Sequence, residues 1–333
     1  MLAIEDRSQV GHARRAAADL ATRLQFDETL TGKVGLTVTE LATNIVKHAG
    51  SGRMLLSALT RDGGAGVEVL ALDKGPGIAD VSTSLRDGHS TSGTMGSGLG
   101  AIARQSTDFE VYSQSGRGTA LRTVVWGRMP RKQLASIEYG GVCVAKSGEA
   151  VAGDDWSIAT DRGFLSVLLA DGLGHGLHAR EAARAAVETL AAHPQAEPEA
   201  LIQACHAALA RTRGAALAVA RLAANAERGA YAGVGNIVAR VEGSTAKRHL
   251  ASYNGTVGHN LYRVKEFAFP WPTGALLVMH SDGLGSHWDL AAYPGLIARH
   301  PALIAGVLYR DYDRGRDDVS VVVLRNRGSD GSS

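Results

Sequence analysis

The chain has 333 residues, 45% of them hydrophobic and 20% charged, with a formal net charge of +2. That length suits two domains of roughly 150 residues each, and the near-neutral balance gives no basis for nucleic-acid or membrane-surface binding. There is no charged-then-apolar leader and no apolar run approaching about 18 residues, so a cytoplasmic protein is expected.

The first half reads as helices over a small mixed sheet. Helical periodicity runs over residues 8 to 25 and 28 to 49. Residues 53–60 and 66–72 alternate as strands around the turn Asp62-Gly63-Gly64. A Gly/Ser/Thr-rich stretch runs from Gly88 to Gly100, followed by a short helix near 99–107. A strand at 109–113, the turn Gln114 to Gly118 and a strand ending at Trp126 close the unit. Gly127 to Lys132 is polar, contains Pro130 and follows a finished strand, so 127–135 is read as a linker.

The second half is strand-rich. Strands are expected at 137–145, 151–159 and 163–170, then two Ala-rich helices at 177–193 and 198–212. Further strands follow at 215–224, 228–233, 236–242, 275–280 and 318–325. Helices between strand layers imply an α/β sandwich, and residues 327–333 read as a flexible tail. The two cysteines, Cys143 and Cys205, are expected as reduced buried thiols, with no zinc spacing.

Four segments of the first half carry chemistry. Glu40, Asn44 and His48 are spaced i, i+4, i+8 and share a helix face. The amide of Asn44 can ligate Mg²⁺ and Glu40 can take a proton, although the stripe alone also suits a solvated face. Asp73-Lys74-Gly75-Pro76-Gly77 follows a strand. Its carboxylate can accept the exocyclic amine of adenine, and its glycines let backbone approach a ligand; alone, the loop is as well read as a turn. Gly96-Ser97-Gly98-Leu99-Gly100 precedes a helix, the makings of a phosphate cradle. Gly116-Arg117-Gly118-Thr119 turns tightly into the closing strand.

The second half places acids at strand ends: Gly153-Asp154-Asp155, Ala170-Asp171-Gly172, His280-Ser281-Asp282-Gly283 and Arg316-Asp317-Asp318. Any one Asp-Gly is usually a turn. Several carboxylates beside buried strands repel one another unless cations gather them. An all-oxygen set favours Mg²⁺ or Mn²⁺, and two such ions can activate water for displacement at phosphorus. Asp155 and Asp318 adjoin the acids named first in their motifs, and a shift by one position is open at either. His175 reads as a solvated loop side chain or as a helper in phosphate binding.

Residues 40–50 (ELATNIVKHAG), 73–78 (DKGPGI), 87–102 (DGHSTSGTMGSGLGAI) and 115–126 (SGRGTALRTVVW) together resemble the ATPase superfamily of gyrase, Hsp90 and histidine kinases (GHKL), most closely the anti-sigma serine kinases of the RsbT type. The acidic motifs, in their order, resemble the type 2C metal-dependent protein phosphatases, specifically the SpoIIE and RsbX subfamily. The resemblance implies an α/β (α+β) chain: a GHKL α/β sandwich over 1–126 and a phosphatase α-β-β-α sandwich over 136–326. It implies Glu40 as catalytic base and Asn44 as the Mg²⁺ ligand of bound ATP. Asp73 would contact adenine, and Gly75, Gly77, Gly98 and Gly100, with Thr119, would form the nucleotide walls. It implies two Mn²⁺ or Mg²⁺ ions held by Asp154, Asp171, the Gly172 carbonyl, Asp282 and Asp317. The arginine that clamps phosphate in the eukaryotic enzymes is not visible. The implied function is partner switching in a bacterial stress response. The phosphatase half would dephosphorylate Ser or Thr on a STAS-type antagonist or stressosome-like scaffold, and the kinase half would phosphorylate a STAS-type partner with ATP. In the alternative, the first half binds ATP or a partner and gates the phosphatase without transferring phosphate. Related ATP-binding domains act both as monomers and as homodimers.

Overall fold

The computed structural model describes residues 1–61, 63–85, 98–130, 136–223, 227–243 and 247–328. Most of the glycine-rich stretch expected to wall the nucleotide (86–97), the core of the linker (131–135) and the end of the tail (329–333) therefore lie outside the described residues, as does Asp62. The chain forms two compact units: Met1–Gln133 with Leu290–Arg299, and Leu134–Asp289 with His300–Ser333. Among the described residues no helix is long and apolar enough to cross a membrane.

The first unit begins with β1 (Leu2–Ile4) and α1 (Arg7–Arg23). Asp6 caps α1 through a capping box with Gln9, which satisfies amides that the first turn leaves open. Ala13, Ala17 and Ala21 repeat at helical spacing and are fully buried. Helix α2 (Glu28–Asn44) is capped by Asp27, whose carboxylate accepts the Leu30 amide at 2.7 Å. It runs into a π turn over Ile45–Ala49, a wide turn common at functional positions. Glu40 and Asn44 stay half-buried while His48 is exposed.

Strands β2 (Gly52–Arg61) and β3 (Gly64–Asp73) form a hairpin, followed by α3 (Val81–Leu85), α4 (Leu99–Gln105), β4 (Asp108–Gln114) and β5 (Gly118–Arg128). The sheet order is β1-β2-β3-β5-β4 and every pairing is antiparallel, so the sheet is not mixed. Helices α1 and α2 pack on one of its faces around Val34, Val38, Leu41, Val67, Val69 and Leu121. Gly127 and Arg128, expected in the linker, are the last residues of β5.

The second unit is a four-layer sandwich. Strands β6 (Ile137–Val144), β7 (Asp154–Asp161) and β8 (Phe164–Gly172) lead to helices α5 (Leu177–Ala192) and α6 (Pro198–Ala208). Then come β9 (Ala215–Ala223), β10 (Arg228–Val234), β11 (Val238–Glu242), β12 (Lys247–Leu250), β13 (Phe267–Pro270), β14 (Leu276–His280), α7 (Pro301–Tyr312) and β15 (Val319–Asn326). One sheet has the order β13-β10-β9-β8-β7, the other β12-β11-β14-β15-β6. Leu165, Val167, Leu169, Tyr231, Leu277, Met279 and Val322 fill the space between them. Helices α5 and α6 cover the first sheet through Ala182, Ala186, Leu190, Leu201 and Ile202. Helix α7 covers β6 and β15 on the other side.

Two expectations, the pair of buried thiols and the free tail, are corrected by the structure. Cys205 is fully buried, whereas Cys143 keeps surface open to solvent although its Sγ donates to the Asp154 carbonyl at 3.4 Å and burial of that sulfur raises the thiol. Arg327 and Gly328, expected in the flexible tail, are tied down: the Arg327 amide donates to the Ser136 carbonyl at 2.7 Å and the Gly328 amide to Asn326 Oδ1 at 2.9 Å. Helices α3 and α7 and the short strands β1, β12 and β13 are additions to the elements read from the sequence.

Candidate functional site

Asp154, the first residue of β7, lies directly across the ladder from Asp171 near the end of β8. Paired residues of antiparallel strands project to the same face, so two carboxylates oppose each other on one rung. Asp282 follows β14 and Asp317 precedes β15 in the other sheet. Both act on Asp171: burial first, then the charges of Asp154, Asp282 and Asp317, push its carboxyl far above the usual carboxylate range. Burial also raises Asp154, with Asp318 and Asp317 adding to the shift and Ser281 and Ser320 offsetting part of it. Asp154 is 1% exposed, and among the described residues its buried Oδ2 has no hydrogen-bond partner.

The pleat separates the adjacent acids. Asp155 points to the other face of β7, where burial raises its carboxyl and the charges of Arg180 and Arg184 lower it. Asp318 spends both oxygens on backbone: Oδ1 accepts the Lys146 amide and Oδ2 the Gly153 amide, each at 2.8 Å. Asp318 thereby fastens the β6–β7 loop. Asp317 Oδ1 accepts the Asp318 amide at 2.9 Å.

Gly172 is pressed between backbones: a Cβ there would lie 2.1 Å from the Ala179 carbonyl oxygen and 2.8 Å from that of Gly153. Beyond it, His175 Nδ1 meets Glu149 Oε1 at 2.5 Å, both partly exposed. His175 is thus an oriented side chain and not a loose one. Two further residues at this end were not visible in the sequence. Asn236, in the β10–β11 turn, donates Nδ2 to Asp282 Oδ2 at 2.7 Å. Trp288 donates Nε1 to the buried Nε2 of His280 at 3.1 Å. A Gly-Asn turn and a lone Trp give no sequence signal of such contacts.

The donor set is all oxygen, and among the described residues Asp154 Oδ2 is desolvated without a hydrogen-bond partner. That chemistry fits a hard divalent cation. Among the described residues, no three or more His, Cys, Asp or Glu side chains stand close enough together to form a metal-binding group. An open arrangement of carboxylates suits an ion that is bound through one or two of them and keeps several waters.

In the first unit, Asp73 ends β3, and its Oδ1 accepts the Gly75 amide at 2.9 Å and the Thr119 amide at 3.1 Å. One carboxylate so joins the β3 loop to the start of β5. Ser113 Oγ lies 3.0 Å from Thr119 Oγ1 and accepts the Ile78 amide at 2.7 Å. Gly75 packs against Ala49 and Gly77 against the Gln114 carbonyl, leaving no room for a Cβ. Gly98 is the N-cap residue of α4 and Gly100 is buried within it. Glu40 and Asn44 lie on α2, four residues apart, which puts them on one side of the helix. Asp73, Gly75 and Thr119 are brought together, with backbone amides turned to a carboxylate.

Residues 4–125 match the histidine kinase-like ATPase domain family, and residues 161–327 match the Stage II sporulation protein E (SpoIIE) family. The serine/threonine-protein kinase RsbT of Bacillus subtilis (strain 168) is 34% identical over 116 residues, which are 35% of this chain and 87% of RsbT. The phosphoserine phosphatase RsbX of the same organism is 24% identical over 140 residues, 42% of this chain and 70% of RsbX. A solved structure from work on the bacterial stressosome has 27% identity and a TM-score of 0.53, covering 57% of this chain and 99% of its own. An RsbT-like kinase module and an RsbX-like phosphatase module on one chain make a partner-switching stress-response regulator of the serine/threonine phosphatase class. The chain belongs to the Stage II sporulation protein E family, with a histidine kinase-like ATPase domain ahead of its phosphatase sandwich.

Proposed function

We propose that the second unit removes phosphate from Ser or Thr of a STAS-type antagonist or stressosome-like scaffold in the cytoplasm. Asp154, Asp171, the Gly172 carbonyl, Asp282 and Asp317 would hold two Mn²⁺ or Mg²⁺ ions. The observation that carries this reading is the shared rung of Asp154 and Asp171, with Asp282 and Asp317 acting on Asp171 from the other sheet. When bound, such ions acidify a water and stabilise charge on phosphorus oxygens. The protein's part is to hold the four carboxylates apart on two rigid sheets, so that repulsion cannot scatter them. Asp318 keeps the β6–β7 loop, and with it the Gly153 end of β7, in register. Asp155 and Asp318 are assigned outside the ion-binding set on the strength of their own partners.

For the first unit the reading is ATP with Mg²⁺ bound against Asp73, Gly75, Gly77, Gly98, Gly100 and Thr119, with Asn44 on the ion. Glu40 would deprotonate a Ser or Thr hydroxyl of a STAS-type partner. The Asp73 carboxylate, fixed by two amides, supports the adenine contact. The chain is incubated with ATP, Mg²⁺ or Mn²⁺ and a candidate STAS protein, and phosphate on that protein is followed. Asn44→Ala is expected to stop its appearance and Asp171→Ala to stop its removal. ATP binding without phosphoprotein, even in Asp171→Ala, makes the first unit a gating module; phosphate flow unchanged in both variants refutes both assignments.

A further inference from the structure

The β10–β11 connection is one of the places where the second unit crosses between its two sheets. Strand β10 belongs to the sheet carrying Asp154 and Asp171, and β11 to the sheet whose strands β14 and β15 flank Asp282 and Asp317. Three residues, Gly235-Asn236-Ile237, make the crossing. Gly235 has φ +96°, and a Cβ on it would sit 2.4 Å from the Cβ of Ala216. Ala216 is the cross-strand partner of Asp171. The turn is therefore pressed onto the rung that carries Asp171, and the left-handed backbone that permits this favours glycine. The Gly235 amide donates to the Tyr253 carbonyl at 2.9 Å and holds the turn from behind.

From that fixed base Asn236 donates Nδ2 to Asp282 Oδ2 at 2.7 Å. A carboxylate only accepts, so the amide nitrogen is the atom that faces it. The backbone around Asp282 is secured separately: Arg314 Nη1 donates to the Asp282 carbonyl, the Arg314 amide to the Gly283 carbonyl and the Ser281 amide to the Ser320 carbonyl, each at 3.1 Å. Among the described residues Asn236 alone hydrogen-bonds the Asp282 carboxylate. It links a group of one sheet to a turn seated on the other.

We infer that Asn236 is a positioning residue for the metal centre. It occupies one oxygen of Asp282 and leaves the other for a cation, at a set distance from the Asp154–Asp171 rung. A neutral donor is suited to this task. A lysine would supply a competing positive charge, and an aspartate would add repulsion without a donor. The inference rests on the two-ion reading given above.

Mn²⁺ is titrated into the full chain without substrate, by calorimetry and by the electron paramagnetic resonance of free Mn²⁺, for the parent, Asn236→Ala, Asn236→Ser and Asp171→Ala. Turnover of p-nitrophenyl phosphate is measured at limiting and saturating Mn²⁺. Asn236→Ala is expected to weaken Mn²⁺ binding by about 10- to 100-fold, the usual effect of removing a ligand's outer partner. Its turnover should recover largely at saturating Mn²⁺, and Asn236→Ser, which keeps a donor, should lie between. Mn²⁺ affinity unchanged in Asn236→Ala, with binding lost in Asp171→Ala, overturns the role of Asn236 and leaves the centre standing. Parent-like binding in Asp171→Ala removes the two-ion reading itself. Should Asn236→Ala melt early, Asn236→Ser decides by the same titration.

Discussion

Asp318 accepts the Gly153 amide at 2.8 Å, while its neighbour Asp317 acts on Asp171 by charge. Two consecutive carboxylates thus have separate tasks. Asp318→Asn keeps one acceptor but turns an NH₂ toward an amide donor. A loss of about 1–3 kcal/mol in stability is expected from that mismatch. Asp317→Asn is expected to leave the melting temperature near the parent value and to weaken Mn²⁺ binding. Calorimetric melts and a Mn²⁺ titration of both variants check this; a stability loss of equal size in the two contradicts the division.

Strand pleat makes the same separation at the other motif. Asp154 shares the rung and face of Asp171, whereas Asp155 faces Arg180 and Arg184. Asp154→Ala is expected to reduce p-nitrophenyl phosphate hydrolysis by at least about 100-fold, the scale of losing a group that fixes the reacting centre. Asp155→Ala should keep activity within about tenfold and lower stability modestly, since its arginine partners are close to solvent. Steady-state kinetics at saturating Mn²⁺ decide; the reverse order of effects would mean that the register is shifted by one.

Without metal, the buried Asp154 and Asp171 hold protons well above the ordinary carboxylate value of 3.8. In the unfolded chain they release them near that value. The native state then binds more protons, so stability falls as pH rises from about 4 through the neutral range. A divalent cation replaces those protons. The increase in melting temperature on adding Mn²⁺ over EDTA should therefore grow between about pH 5.5 and about pH 8. It should be nearly flat with pH in Asp171→Asn. A metal effect that shrinks as pH rises contradicts this account.

Gly118 tests the nucleotide unit. Its φ is +93°, and a Cβ would lie 2.1 Å from the Asp73 carbonyl oxygen. At Gly116, φ is +74° with open space around the Cβ position. Gly116→Ala should lose about 1 kcal/mol for the left-handed backbone alone. Gly118→Ala should lose on the order of 3 kcal/mol, because the β3 end and the β5 start must part. It should also weaken ATP binding, since Asp73 joins those two segments. Denaturant melts and a nucleotide titration measure both effects; equal losses at the two glycines contradict the argument.

The strand ends at Asp171 and Asp282 were legible because an apolar run running into Asp-Gly is a local signal. So were α1 and α2, whose buried residues recur at helical spacing. Helix α7 was not, since nearly every residue from Pro301 to Arg310 is buried and a helix apolar all round shows no period. Strand β12 is Lys-Arg-His-Leu, with three exposed side chains, and has no alternation to read. Choosing Asp154 over Asp155 needed the pairing register. Asn236 and Trp288 needed the meeting of segments 46 and 8 residues apart, which local pattern does not encode.

His280, two residues before Asp282, is fully buried, and burial lowers its pKa from 6.5 to about 4. Trp288 donates to Nε2, so the proton of the neutral ring sits on Nδ1 and goes to the Ser281 carbonyl at 2.8 Å. Arg240 lies 3.4 Å over the Trp288 ring and pairs with Glu242, which keeps a second positive charge near the imidazole. Between pH 6.5 and about 4 the unfolded chain binds a proton here that the native state does not. This contribution to stability is therefore present above 6.5 and declines as pH falls, by up to about 3 kcal/mol. The carboxylates of the site run the opposite way, so the quantity to measure is the difference between parent and His280→Gln, in which their effect cancels. That difference should move in favour of the variant as pH drops from about 6.5 to about 4, and Trp288→Phe, which removes the donor while keeping a ring, should lose about 1–2 kcal/mol at neutral pH. A parent-minus-variant difference independent of pH would mean that His280 is already charged, or already solvated, in the native state.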